Sequence, residues 1–112
     1  MLVAVYGTLK QGNSNNGLMM DSALISKETL KGYIMYSVGG FPVIYRDINH
    51  SIVVEVYEVS EHVLSFNLDP LEGHPRWYRR EQVETSVGTA WLYIMTDDRY
   101  RVPNRQIISG EF

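Results

Sequence analysis

With 112 residues, 45 % of them apolar, the chain has the material for one hydrophobic core and is expected to form a single domain over residues 1–112. Its net charge of -3 argues against a polyanion as principal partner, because nonspecific nucleic-acid affinity comes largely from phosphates neutralised by Lys and Arg. The lack of cysteine excludes disulfides, thiolate nucleophiles and sulfur-ligated zinc; with neither a basic leader nor an apolar run of about 18 residues, no signal peptide or membrane helix is expected, and the expected location is cytoplasmic.

Leu2 to Tyr6 is nearly all apolar and predicts a short buried strand. It breaks into a polar loop from Gly7 to Asn16, longer than chain reversal requires, and such loops tend to be functional or disordered. Asn15 or Asn16 is placed to cap a short helix over Leu18 and Met19. Between Leu24 and Tyr57 the chain is strand-like, in the runs LISKETLKGYIMYSVGG, FPVIYRD and SIVVEVYEV, parted by glycine and by a turn expected at Asp47 to His50. In the last run Val54 and Val56 alternate with Glu55, Tyr57 and Val59, which suits a sheet with two unlike faces. Ser60 is a good N-cap, and Val63, Leu64, Leu68 and Leu71 predict an amphipathic helix from about Glu61 to Asp69. Two more strands, YRREQVETSV and TAWLYIM, are joined by a tight turn near Gly88, and the tail beyond Met95 has no clear period and is expected along the surface. The succession predicts an α+β fold with a small, curled, barrel-like mixed or antiparallel β-sheet and one or two short helices, since curling would hide exposed edges.

Two stretches have the residue types for chemistry. Gly7-Thr8-Leu9-Lys10-Gln11-Gly12-Asn13-Ser14 comes close to a phosphate-binding loop but fails at the decisive position, where Asn13 replaces lysine, and no βαβ succession stands behind it. A strand ending in Gly and Thr can nevertheless turn successive backbone N–H groups inward as an anion-binding concavity, with a plain connecting loop as the alternative. Further on, Asp69-Pro70-Leu71-Glu72 has the form of a capping box, Asp69 as N-cap and Glu72 as its N3 partner. Gly73 and Pro75 end any helical turn directly afterwards, so the Glu72 carboxylate is also placed to face a pocket as a general base. Arg76, Trp77, Tyr78, Arg79 and Arg80 mix cations with aromatics as single-strand nucleic-acid binders do, but in an acidic chain a strand with solvent-facing arginines explains them better. His50, His62 and His74 show no short ligand spacing, so no metal site is expected, and no serine stands in a nucleophile elbow.

Three motifs in order carry a resemblance: Tyr6-Gly7-Thr8-Leu9-Lys10 with Asn16 after it, Gly39 to Pro42, and Leu68-Asp69 with Glu72-Gly73, Pro75, Tyr78 and Arg79 or Arg80. From Val3 to about Tyr93 the chain resembles the γ-glutamylcyclotransferase-like superfamily, in particular its small γ-glutamylaminecyclotransferase-type members. The resemblance implies a substrate held by backbone N–H groups of Tyr6, Gly7, Thr8 and Leu9, and Glu72 as catalytic acid and base. Tyr78 is the candidate for orienting Glu72 or the substrate. The implied reaction converts a small γ-glutamyl compound to 5-oxoproline and a free amine, with no cofactor, metal, nucleic acid or membrane. A noncatalytic binding module using the same Tyr6 to Leu9 loop is the alternative. The chain departs from the family's usual Gly-Glu pair in reading Val54-Glu55-Val56-Tyr57, where Glu55 is expected to serve as a structural acceptor.

Overall fold

The computed structural model describes residues 1–19 and 22–112. Its five strands are β1 (Leu2–Val5), β2 (Ala23–Ser37), β3 (Pro42–Glu58), β4 (Tyr78–Thr85) and β5 (Gly88–Met95), arranged in one sheet in the order β2-β3-β1-β5-β4. The apolar β1 takes the central place, antiparallel to β3 and parallel to β5, and is buried on both faces. Val3 and Val5 point to a core shared with Tyr57, Leu64 and Leu68, while Ala4 packs with Ile44, Ile52, Val54, Val56 and Leu92 on the other side. The alternation read in Val54 to Val59 thus separates two cores, one under the helix and one enclosed by the sheet itself.

The turn expected at Asp47 to His50 does not divide two strands. Pairing of β2 with β3 passes from Lys31↔Ser51 directly to Tyr33↔Arg46, so Asp47, Ile48, Asn49 and His50 all stand opposite Gly32, whose φ is +96°. The backbone N–H of Asn49 donates to Asp47 Oδ1 at 2.9 Å, so the turn chemistry is present locally but is absorbed as a wide bulge inside one long strand. A bulge bends its strand, and beyond this one β3 reaches β4: Tyr78 donates its hydroxyl to Pro42 O at 2.9 Å and Arg46 pairs with Glu81.

The sheet remains open, which corrects the barrel-like expectation. β2 and β4 are its edges, and what replaces a closing ladder is side-chain and tail contact. Glu28 of β2 accepts from Ser86 N at 2.8 Å in the β4–β5 turn, and the tail lays Ile107 N on Met35 O at 2.9 Å. With its edges covered in this way the sheet needs no closure to avoid exposing a pairing template.

One helix, α1, spans 61–72 without a break: an α-helical start (Glu61–Val63), a π-helical turn (Leu64–Leu68) and an α-helical end (Asp69–Glu72). Ser60 Oγ accepts from Val63 N at 3.1 Å, as its N-cap position predicts. The expected second cap at Asp69 is not formed, because Leu68 and Asp69 keep helical dihedrals and the helix runs on to Glu72. Pro70 stands two residues beyond the last residue of the π turn, where the usual hydrogen-bond ladder is already interrupted and a missing N–H is tolerated. Among the described residues no helix is long and apolar enough to cross a membrane.

Candidate active site

At the end of β1 the chain turns sharply, Lys10 N donating to Gly7 O at 3.0 Å. The asparagines that follow are the scaffold of this turn: Asn13 Nδ2 donates to Gly7 O, Asn15 N to Thr8 O and Asn16 Nδ2 to Leu9 O, each within 2.9 Å. Every carbonyl from Gly7 to Leu9 is therefore engaged from within the loop. The three matching N–H groups find no acceptor among the described residues, and Gly7, Thr8 and Leu9 all line one cavity of about 710 Å³. Consecutive N–H groups held in this way make a concavity for a negatively charged or carbonyl oxygen. The length of the loop is explained by the same bonds, since the chain must fold back far enough for two asparagine side chains and one backbone N–H to reach three carbonyls.

Lys10, which a phosphate-loop reading would send to the ligand, lies outside the cavity lining. Its buried ammonium donates to Phe112 O at 3.0 Å and pairs with Glu111. Glu55 is the acceptor expected of it, taking Gln11 N at 2.8 Å and the Tyr57 hydroxyl at 2.9 Å. Val54, which stands where a family glycine is common, is fully buried in the core on the other face, so its side chain has a packing role.

The three motifs meet at Pro42. A Cβ on Gly7 would lie 2.9 Å from Pro42 Cδ, and the Tyr78 hydroxyl holds Pro42 O from the opposite side in sequence. Tyr78 thus anchors the β2–β3 connection, while no hydrogen bond between it and Glu72 occurs among the described residues. Tyr6 is likewise engaged, donating to Tyr93 O at 2.7 Å. Burial pushes the hydroxyls of Tyr6, Tyr78 and Tyr93 well above the ordinary tyrosine range, with negative neighbours adding to the effect, so all three stay protonated donors.

Glu72 ends α1 and faces the same cavity. Gly73 follows it with φ +63° and closes the helix, its N–H bonded to Pro70 O at 3.2 Å. Asp69, one turn earlier, accepts the Tyr93 hydroxyl at 2.5 Å and lies 3.2 Å from Arg80 Nε, so its carboxylate ties the end of the helix to β5 and β4 instead of capping it. Arg80 also stacks its guanidinium 4.3 Å from the centre of the Trp91 ring, and Arg79 pairs with Glu81, which leaves both engaged within the protein. Among the described residues no hydrogen bond or ion pair reaches the Glu72 carboxylate, and burial raises its pKa from 4.5 to about 7. Tyr93 and the anchoring role of Asp69 were not read from the sequence. The only signal for Tyr93 is the alternation of Trp91, Tyr93 and Met95 on β5, which places them on the helix-covered face.

The sequence pattern described as γ-glutamyl cyclotransferase, AIG2-like, matches residues 3–112. The chain belongs to this family. It is 45 % identical over 94 residues, 83 % of this chain and 80 % of the relative, to a Vibrio cholerae protein whose name places it provisionally among the γ-glutamylcyclotransferases. It is 36 % identical over 107 residues to the γ-L-glutamyl-butirosin B γ-glutamyl cyclotransferase of Niallia circulans, covering 86 % of this chain and 67 % of that one. The fold matches a crystal structure of an uncharacterised protein from Pyrococcus horikoshii with a TM-score of 0.82 at 25 % identity, over 100 % of this chain and 89 % of that one.

In this cyclotransferase-family chain the raised Glu72 pKa links stability to pH. The folded state holds the proton more tightly than the unfolded one, so the contribution of Glu72 to stability is fully present below about pH 4.5 and is lost as pH rises through about 7. The shift corresponds to about 3 kcal/mol at about 1.4 kcal/mol per pKa unit. Glu72→Gln removes this term. Urea denaturation should therefore show the variant more stable than the parent by about 2–3 kcal/mol at pH 8, and the two alike at pH 4. Equal stability at pH 8 would mean that Glu72 titrates as an ordinary surface carboxylate.

Proposed function

We propose that this chain catalyses intramolecular aminolysis of a γ-glutamyl amide, releasing 5-oxoproline and a free amine, with Glu72 as general acid and base. The observation that carries the reading is the pairing, in one cavity, of a carboxyl with raised pKa and a row of backbone N–H groups from Gly7 to Leu9, none of them partnered among the described residues. The Niallia circulans relative, named for a γ-glutamyl amide substrate, supports the same substrate class.

The substrate supplies its own nucleophile. Glu72, ionised, takes a proton from the α-ammonium; the amine then attacks the γ-carbonyl carbon and closes the lactam ring. Well-oriented intramolecular attack reaches effective molarities of about 10⁵ to 10⁸ M, so holding that geometry is most of the task. The oxyanion that forms is met by the N–H groups of Gly7, Thr8 and Leu9, where one donor is typically worth about 10²- to 10³-fold. As the C–N bond breaks, the departing amine takes the proton back from Glu72, and the second proton of the ring nitrogen then passes by way of the freed Glu72 carboxylate to the amine, which leaves as its ammonium. Water is neither consumed nor formed. Tyr6 and Tyr78 bound the pocket, and their engaged hydroxyls keep the loop and Pro42 in register.

The test is release of 5-oxoproline from a panel of γ-glutamyl compounds, including γ-glutamyl-lysine and glutathione, run in ¹⁸O-labelled water. Aminolysis leaves the product unlabelled, and a chelator leaves the rate unchanged. Labelled glutamate would identify a hydrolase, and binding without turnover would identify a binding module using the same loop. A rate that follows Glu72 ionisation rises with pH through about 7.

A further inference from the structure

Three apolar side chains are exposed around the cavity that holds Glu72. Phe41, Leu71 and Trp77 are 42 %, 40 % and 56 % exposed, and all three line it. They come from separate elements, the β2–β3 connection, the last turn of α1 and the segment before β4, yet converge on one opening. Each is held by ordered backbone. Phe41 O accepts from Val38 N at 2.8 Å; Trp77 N donates to Gly73 O at 2.9 Å while Trp77 O accepts from Thr96 N and Thr96 Oγ1. Gly73 lacks the Cβ that would stand 2.6 Å from Trp77 Cδ1, so the ring can lie directly over the end of the helix beside Glu72.

The charged groups of the lining point the same way. Among the described Asp, Glu, Lys, Arg and His residues, Glu72 alone lines the cavity. The nearby Arg79 and Arg80 are occupied by Glu81 and Asp69 and do not line it. A carboxylate lodged among these lining residues would lose hydration without gaining a cation from the described lining, beside a second carboxylate. An apolar group would cover three side chains that otherwise face water.

We propose that Phe41, Leu71 and Trp77 form the subsite for the leaving amine, and that this amine carries an uncharged aromatic or branched alkyl substituent. The inference rests on the cyclotransferase reading for which part of the substrate lies where: the glutamyl head is met by the N–H row and Glu72, leaving the amine side to the apolar rim. The cavity, about 710 Å³, falls within the range of roughly 300–1,000 Å³ that takes drug-sized ligands and leaves room for such a substituent beyond the head.

The experiment separates binding from turnover. Calorimetric titration of the Glu72→Gln protein with γ-glutamylbenzylamide, γ-glutamylmethylamide, γ-glutamylglycine and γ-glutamylputrescine reads the subsite directly, and 5-oxoproline release by the parent protein reads the chemistry. The benzylamide is expected to bind about 10-fold or more tightly than the other three, the size of effect a hydrophobic pocket gives. Trp77→Ala, and independently Leu71→Ser, should remove most of that advantage while leaving the methylamide affinity within about 2-fold. Benzylamide binding no tighter than the methylamide, preference for the glycine or putrescine compound, or no measurable benzylamide binding overturns the subsite. Selective binding with no 5-oxoproline from the parent protein overturns the cyclotransferase reading and leaves the subsite standing; turnover with no preference does the reverse.

Discussion

Glu72→Gln is expected to lower 5-oxoproline release by about 10²-fold or more while leaving substrate affinity largely intact. The substitution keeps the shape of the side chain and removes only its ability to carry a proton between the α-ammonium and the leaving amine. Had Glu72 served as the reciprocal partner of an Asp69 cap, glutamine would do as well, because capping boxes accept either residue. That cap is absent: Asp69 lies inside α1 and its carboxylate is engaged by Tyr93 and Arg80. Glu72→Ala provides the control for shape, losing the base together with the packing of the side chain against the cavity. The measurement is kcat and KM for all three proteins on one γ-glutamyl substrate, with thermal midpoints at pH 4 and pH 8. Turnover at the parent rate in the glutamine variant would end the assignment of Glu72 as the base and leave the binding-module reading in its place.

Gly7→Val is expected to cost about 10²- to 10³-fold in kcat/KM, the range associated with losing a single oxyanion donor. The cause is steric. The Cβ of any side chain at Gly7 would approach Pro42 Cδ to 2.9 Å and Cγ to 3.0 Å, and a proline whose backbone carbonyl is held by the Tyr78 hydroxyl has little freedom to withdraw. The contact must open, and the N–H groups of Gly7, Thr8 and Leu9 move with it. Thr8→Ser should by contrast keep most activity, since its hydroxyl remains available to Asn15 Nδ2, which donates to Thr8 Oγ1 at 2.9 Å. Gly7→Ala should fall between the two. A Gly7→Val protein that is folded and fully active would show that this row of donors does not bind the substrate.

Much of the site was legible because its motifs are local. The run from Tyr6 to Leu9 and the position of Glu72 just before Gly73 can be named from contiguous motifs, as can Glu55 as an acceptor outside the cavity. Which groups those residues meet was not legible. The capping box at Asp69 is a sound reading of four consecutive residues, yet a Tyr93 hydroxyl 24 positions away and the Arg80 guanidinium compete for the same carboxylate and prevail. The turn at Asp47 to His50 is likewise sound local chemistry, overridden because β2 continues to pair on both sides of Gly32.

By itself the sequence determined the features that depend on a few adjacent residues: an apolar β1 that must be buried, the Ser60 cap and the β4–β5 turn near Gly88. Side-chain periodicity and turn chemistry act over one or two turns of chain, so they survive in the folded protein wherever nothing distant competes. Only the tertiary structure decided the parallel pairing of β1 with β5, the open form of the sheet, the convergence of three motifs on Pro42 and the environment of Glu72. Those depend on contacts such as Tyr6 to Tyr93, 87 positions apart, and Tyr78 to Pro42, 36 apart. The raised pKa of Glu72 belongs to the same class, because burial is a property of everything packed around a carboxylate and is not written in its neighbours along the chain.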